Sequence, residues 1–195
     1  RSERLLNIAR VARDELARPA DAVSALREVI ALVPDHAKAM DELAELHTQH
    51  EEWWPLVEVL TARALLPGAA SGAIQMRLAG LMESQLEDLP QAIRLYESAL
   101  EAGGDAPTAL AALERLYIEA SDWEHVVTTY ERLLALATSD ATRVDLLERL
   151  ALVREEALED LAGAMLAWDK LLELTPDNQD AFESLRRLQQ MVGSD

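Results

Sequence analysis

The chain has 195 residues, of which 50% are hydrophobic and 28% charged, as in folded rather than disordered proteins. Its 36 Asp and Glu against 18 Lys and Arg give a formal net charge of −18, which disfavours nucleic acid and anionic lipid as partners and favours basic segments. The absence of cysteine excludes disulfides and thiol nucleophiles. No apolar run approaches the about 18 residues of a membrane span, so membrane insertion is not expected.

Apolar residues recur at i, i+3 or i+4 and i+7 along the whole chain, which is the pattern of one face of an α-helix. Runs of β-branched residues and period-two alternation are missing, so no strand is expected. We therefore predict an all-α protein of about eleven helices. They lie near residues 2–16, 20–33, 37–50, 54–66, 72–86, 89–102, 106–120, 123–137, 140–158, 161–174 and 178–191.

Turn chemistry separates these helices. The sequence "SDWE" at 121–124 has the spacing of a capping box, with Ser121 as the N-cap and Glu124 three residues later. Aspartates occupy the expected N-cap position before three other helices. They are Asp35, Asp105 and Asp177.

The chain also matches itself at a fixed period. "PDHAKAMDELAELH" at 34–47 aligns with "GDAPTALAALERLY" at 104–117 and then with "PDNQDAFESLRRLQ" at 176–189. Two helices for about every 35 residues describe a solenoid of stacked helix hairpins, in which each hairpin buries its apolar face on its neighbours. The columns are Ala39, Ala109 and Ala181; Met40, Leu110 and Phe182; Leu43, Leu113 and Leu185; Leu16, Leu86 and Leu158; Ala22, Ala92 and Ala164; and Leu26, Tyr96 and Trp168.

The repeat resembles the tetratricopeptide repeat (TPR) family. The resemblance is carried by the "PDN" turn at 176–178, by Ala92 and Ala164 early in second helices, and by bulky Tyr96 and Trp168 four residues later. It covers essentially the whole chain and implies a right-handed α-solenoid of stacked antiparallel helix hairpins. The match is divergent, with a two-hairpin super-repeat of about 70 residues in which the odd-numbered hairpins carry an extra residue between their helices.

We expect residues 1–195 to form a single TPR-like domain. Its super-repeats would run over approximately residues 1–70, 71–139 and 140–195. The third super-repeat stops where the next tryptophan-led helix would begin, which would leave the apolar face of the last helix uncovered. We therefore expect a fragment of a longer array or larger protein, the alternative being an end that packs on another chain.

Motifs that carry chemistry are missing. The chain has no phosphate loop, dinucleotide fingerprint, HExxH or GxSxG motif, and its four histidines are scattered. His47, His50 and Glu51 have a spacing that could hold a metal ion, but His47 shares a repeat column with Tyr117, which favours a structural role. We therefore expect no catalytic residue, no metal and no cofactor, and predict that the chain is not an enzyme.

The resemblance implies a concave groove lined by the first helix of each hairpin. Acids outnumber bases there and asparagine is missing, so a clamp for a C-terminal carboxylate is disfavoured and a peptide carrying Lys or Arg fits better. The residues expected to face the groove include Arg10, Arg13, Lys38, Asp41, Glu45, Met76, Glu83, Arg115, Glu148, Glu155, Glu183 and Arg187.

The tryptophan pair in "HTQHEEWWPL" divides into two roles. Trp53 shares a column with Trp123 and is expected to pack between the helices of its hairpin. Trp54 shares a column with Glu124, so the repeat does not require an aromatic residue there. Two interpretations of Trp54 remain open: a ring lying flat against the hairpin edge, or an exposed anchor for a partner.

The leading functional hypothesis is a non-catalytic protein–protein interaction scaffold that binds a peptide or protein segment, with a basic partner fitting the charge. The alternatives are a self-association module that forms homo-oligomers through exposed end faces, and a regulatory domain of a larger enzyme. We expect a cytoplasmic location, with the periplasm and the extracellular space as alternatives.

Overall fold

The computed structural model describes residues 2–14 and 18–193, without the side chains of residues 13 and 14. Within those ranges the chain is all-α, without a strand, which confirms the predicted fold class and the eleven predicted helices. The helices are α1 (Ser2–Asp14), α2 (Pro19–Leu32), α3 (Ala37–Gln49), α4 (Trp53–Ala64), α5 (Ser71–Ser84), α6 (Leu89–Glu101), α7 (Ala106–Glu119), α8 (Trp123–Leu136), α9 (Asp140–Leu152), α10 (Leu161–Leu174) and α11 (Gln179–Val192).

The chain forms two compact units, Arg1–Asp105 with helices α1 to α6 and Ala106–Asp195 with helices α7 to α11. In each unit the helices that are neighbours in sequence pack on one another. The prediction of a single domain with its three super-repeat boundaries stays a prediction.

The core of the first unit is built from the predicted columns. Ala39, Leu43 and Leu46 of α3 are buried against small residues of α1 and α2. A second cluster joins α3, α4 and α5 through Leu56 and Leu78, among other residues. Full burial of a leucine side chain stabilises a fold by about 1.5–3 kcal/mol, so these repeated leucines are the main source of stability.

In the second unit, most column residues are buried in the same way, but Leu158 is only half-buried and Phe182 is exposed. Leu110, Leu113, Ala164 and Trp168 are buried, but Phe182 of α11 is 58% exposed. Phe182 aligns with the buried residues Met40 and Leu110, so the column predicts that it is buried. Helix α11 packs mainly on α10, however, and that contact does not cover Phe182. Another column member, Leu16, lies outside the described residues.

The turns within hairpins confirm the extra residue of the odd-numbered hairpins. In the even hairpins the N–H of the residue before the second helix donates to a carbonyl five residues back, as from Asp122 to Tyr117. In the odd hairpins the same bond reaches six residues back, as from Asp88 to Met82 and from Asp160 to Arg154. The two hairpin types therefore alternate along the chain.

The predicted helix over residues 140–158 is wrong in its last part, and the extra residue of this hairpin is the reason. Helix α9 ends at Leu152, and a π-helical turn follows over Val153–Ala157, closed by a bond from the N–H of Leu158 to the carbonyl of Val153. A π turn accommodates one residue more than an α turn, which is a common way for a helix to absorb an insertion.

Three cap predictions are wrong by one residue. His36 and Asn178, rather than Asp35 and Asp177, accept a hydrogen bond from the third residue of their helices. Asp122 caps α8, because Ser121 has a φ of 54° and is therefore left-handed rather than extended as a cap residue is. Asp105 does directly precede α7.

Candidate partner-binding surfaces

The predicted groove residues of α3 form one exposed strip. Lys38, Asp41 and Glu45 are exposed and follow the i, i+3, i+7 spacing of one helix face. Asp41 Oδ1 accepts a hydrogen bond at 2.8 Å from Nε of Arg63 on α4, and Lys38 Nζ lies 3.9 Å from Glu42. Glu45 makes no side-chain hydrogen bond or ion pair within the described part of the chain. The strip is therefore polar, and its acids remain open to solvent.

The other predicted residues of the first unit are less uniform. Arg10 is exposed on α1, whereas the side chain of Arg13 lies outside the described residues. Met76 and Glu83 are half-buried on α5, and the hydroxyl of Tyr96 on α6 donates to Glu83 Oε2 at 2.9 Å. Glu83 thus holds its own hairpin together, which leaves less of it for a partner.

In the second unit, the structure brings two of the predicted residues together. Arg187 on α11 lies 2.6 Å from Glu155 Oε1 in the π turn. The Glu155 side chain is 11% exposed, and its other oxygen is buried without a hydrogen-bond partner. Arg115 and Glu148 are exposed on α7 and α9.

A polar network that the sequence did not predict joins three helices of this unit. The Arg149 guanidinium contacts Glu114 and lies over the ring of Tyr130 at 4.9 Å, and Tyr130 donates to Glu114 Oε1 at 3.4 Å. Burial, and then the charge of Asp145, raises the pKa of the Tyr130 hydroxyl above its usual range. The phenol therefore stays neutral, and the network orders α7, α8 and α9 without resembling a catalytic arrangement.

The histidines of "HTQHEEWWPL" do not form a metal site with their neighbours. His47 is 1% exposed, and its Nδ1 lies 2.5 Å from Glu52 Oε2. His50 is exposed at the C-terminus of α3. Within residues 2–14 and 18–193 no three metal-binding side chains cluster. His47 instead occupies the core position that its repeat column predicts.

The two tryptophans differ as the repeat predicts. Trp53 is half-buried and packs against the cluster formed by Leu56, Leu60 and Leu78. Trp54, on the same helix, is 62% exposed. Most of its ring is therefore accessible, and its role as a partner anchor stays a hypothesis.

Two clefts between second helices were missed by sequence reasoning, which considered only first helices. In the first unit, a cleft of about 260 Å³ lies between α2, α3 and α4 and includes Arg27 and Glu58 in its lining. In the second unit, a cleft of about 360 Å³ lies between α8, α9 and α10. Leu166 could have revealed this second cleft from the sequence, because it is an apolar residue at a position of the second helix that is expected to be polar and exposed.

None of the described helices is long and apolar enough to span a bilayer.

Comparison with known proteins identifies the repeat. The tetratricopeptide repeat model matches residues 109–182, which lie in the second unit. No curated protein sequence matches the chain significantly.

Solved structures of similar fold cover nearly the whole chain. A TPR repeats protein from Bacteroides fragilis aligns with a TM-score of 0.60 at 11% identity, over 98% of this chain and 99% of that one. MamA aligns with a TM-score of 0.52 at 14% identity, over 92% and 94% of the two chains. YrrB, described as a TPR protein with an unusual peptide-binding site, aligns with a TM-score of 0.50 at 14% identity, over 95% and 92%. The chain therefore matches the tetratricopeptide repeat over residues 109–182 and shares the fold of TPR-like helical repeat proteins.

Proposed function

We propose that this chain is a non-catalytic scaffold that binds a basic peptide or protein segment on the exposed faces of its first helices. The observation that carries the proposal is the strip on α3, where Asp41 and Glu45 face solvent one turn apart. Stacked helical repeats present such faces as extended binding surfaces. The similar fold of YrrB, a TPR protein with an unusual peptide-binding site, supports the same kind of partner.

Electrostatics favours a partner with Lys or Arg. The net charge of −18 attracts cations, and this attraction speeds encounter more than it strengthens the final complex. Arg63 holds Asp41 in place, so a cation from the partner meets a carboxylate that is already oriented. Because the strip is exposed, binding should weaken as salt rises.

A labelled probe peptide, Lys-Leu-Ala-Arg repeated three times, tests this by fluorescence anisotropy. Neutralising the strip with Asp41→Asn and Glu45→Gln should weaken binding about three- to tenfold, as expected for two exposed charge contacts. The matched control is Asp169→Asn with Glu101→Gln, which removes the same charge from exposed sites on α10 and α6.

Equal weakening in the control and the strip variant would show that only overall charge matters and would reject the strip as the site. Binding that survives high salt unchanged would reject the electrostatic argument. Amide shifts confined to second helices would place the probe elsewhere.

Self-association is the second candidate function, and the apolar side chains of α11 favour it. Phe182, Met191 and Val192 are all exposed on this helix. If α11 drives oligomers, light scattering will give a mass that rises with concentration, and Phe182→Ser will return it to the monomer. A monomer at every concentration would reject this function.

A cytoplasmic location and the absence of catalysis remain parts of the same proposal. The lack of catalytic motifs in the sequence supports the absence of catalysis. A regulatory domain of a larger enzyme is the alternative, which the sequence of the full-length gene would test.

A further inference from the structure

The cleft between α8, α9 and α10 is lined by both aliphatic and cationic side chains. It has a volume of about 360 Å³ and opens to solvent within the second unit. Leu166 is 60% exposed at this cleft, so apolar surface is available to a ligand. The aliphatic lining residues are Leu134, Leu147, Leu150, Leu166 and Ala167.

The charged residues that line the cleft are mainly cationic, whereas the protein as a whole has a negative net charge. Three cations, Arg143, Arg154 and Lys170, face one acid, Glu131, although acids outnumber bases two to one in the chain. Lys170 is exposed and has no ion-pair partner within the described residues. Arg143 lies 3.0 Å from Asp140, which is outside the lining.

Arg154 is held at the edge of this cleft rather than free. Its guanidinium lies 2.5 Å from Glu131 Oε1 and 3.8 Å from Asp160 Oδ2, and the side chain is 18% exposed. Its Nε is buried without a hydrogen-bond acceptor. A side chain at Gly163 would collide with both Asp160 and Arg154, so the absence of a Cβ there makes room for the guanidinium.

The repeat does not require these cations. Moving back 72 residues, the offset that aligns Ala164 with Ala92, places the cleft residues of α9, the π turn and α10 on their counterparts in the previous super-repeat. The counterparts of Arg143, Arg154 and Lys170 are Ser71, Met82 and Ser98. Leu166 likewise replaces Arg94. The architecture thus accepts neutral residues at all three cationic positions and a polar residue at the exposed apolar one.

We propose that the α8–α10 cleft binds an acidic peptide segment that carries a leucine-like side chain beside a carboxylate. The aliphatic side chain would pack on Leu147 and Leu166, and the carboxylate would pair with Lys170 and Arg143. Charge complementarity selects this occupant, since a basic segment would meet Lys170, which has no ion-pair partner within the described residues, beside Arg143. The cleft lies on other helices than the α3 strip and takes the opposite charge, so this site is additional to the proposed function.

The test uses a labelled probe peptide, Glu-Leu-Leu-Glu repeated three times, and measures fluorescence anisotropy on the whole chain. Two comparison peptides replace every Glu with Gln, or every Leu with Ser. The repeat itself supplies the cleft variant, Arg143→Ser with Lys170→Ser, because serine occupies both positions in the previous super-repeat. Arg186→Ser, on the exposed face of α11 and outside the cleft lining, is the control.

The Glu-Leu probe should bind in preference to both comparison peptides. The double variant should weaken its binding about three- to tenfold, whereas Arg186→Ser should change it less than about twofold. Leu166→Arg, again the residue of the previous super-repeat, should also weaken it. Circular dichroism confirms folding of each variant.

The proposal is overturned if the Gln probe binds as well as the Glu probe, or if the double variant binds the Glu probe as tightly as the unaltered protein. It is also overturned if light scattering shows a dimer that the double variant abolishes, because the occupant is then a second copy. The α3 strip and the cleft are tested with different probes and different substitutions. A failure of the proposed function therefore does not change the result expected here, and the two failures can be told apart.

Discussion

Gly72→Ala should destabilise the first unit, because helix α5 begins against the turn that follows α6. A Cβ at Gly72 would collide with the backbone N of Gly104, and would lie 2.8 Å from its Cα and 2.9 Å from the carbonyl oxygen of Ala102. These are backbone atoms, so neither can move aside by changing a rotamer. Overpacking of this kind costs about 1–3 kcal/mol.

Gly80→Ala, on the same helix, is the matched control with the opposite sign. The nearest atom to its added Cβ is the Tyr96 hydroxyl at 4.0 Å, so no contact is compressed. Alanine in a helix interior is about 0.5–1 kcal/mol more favourable than glycine. The same glycine-to-alanine substitution should therefore lower stability at the start of α5 and raise it in the middle of that helix.

Thermal unfolding followed by circular dichroism measures both effects. For a chain of this size, a change of 1 kcal/mol moves Tm by about 2–4 °C. Because repeat proteins can unfold in parts, amide exchange in α5 should be measured beside Tm. A Gly72→Ala variant as stable as the unaltered protein, or a destabilised Gly80→Ala variant, would refute the reasoning.

Three further substitutions probe other parts of the molecule. Glu87 has a φ of 54°, so Glu87→Gly should raise stability by about 0.5–1 kcal/mol, and denaturant unfolding that shows a loss would contradict this. The pKa of Tyr130 is raised in the folded state, so above the ordinary tyrosine pKa the unfolded state loses a proton that the folded state keeps. Stability therefore falls as pH rises, until the pH passes the pKa of the folded state. Tyr130→Phe should reduce this alkaline loss, and an unchanged stability–pH profile would count against it. Trp54→Glu should change stability by less than about 0.5 kcal/mol, and full retention of partner binding would reject the anchor hypothesis.

The helices and their buried faces could be predicted because each depends on residues close in sequence. Leu43, Leu113 and Leu185 repeat at one column, and all three are buried. The same logic separated Trp53 from Trp54. It failed at Phe182, because burial there depends on which helix packs over the residue and not on the residue itself.

Caps were less predictable, since several polar residues crowd each turn. The left-handed conformation of Ser121 moves the cap of α8 to Asp122. Glu51, Glu87 and Glu159 adopt the same conformation in other turns, although glutamate does not signal a positive φ. One residue of displacement is enough to change which side chain meets the helix N-terminus.

The sequence by itself determined the all-α class, the helices of the described residues and the alternation of two hairpin types, because periodicity and turn spacing depend on residues close together in the chain. Tertiary structure alone decided which polar side chains meet. The contact of Arg149 with Glu114 and the pairing of Arg187 with Glu155 join residues on different helices. The cationic cleft of Arg143, Arg154 and Lys170 likewise exists only where the sides of three helices converge. Such contacts depend on helix rotation and spacing, which the order of residues along one helix does not specify.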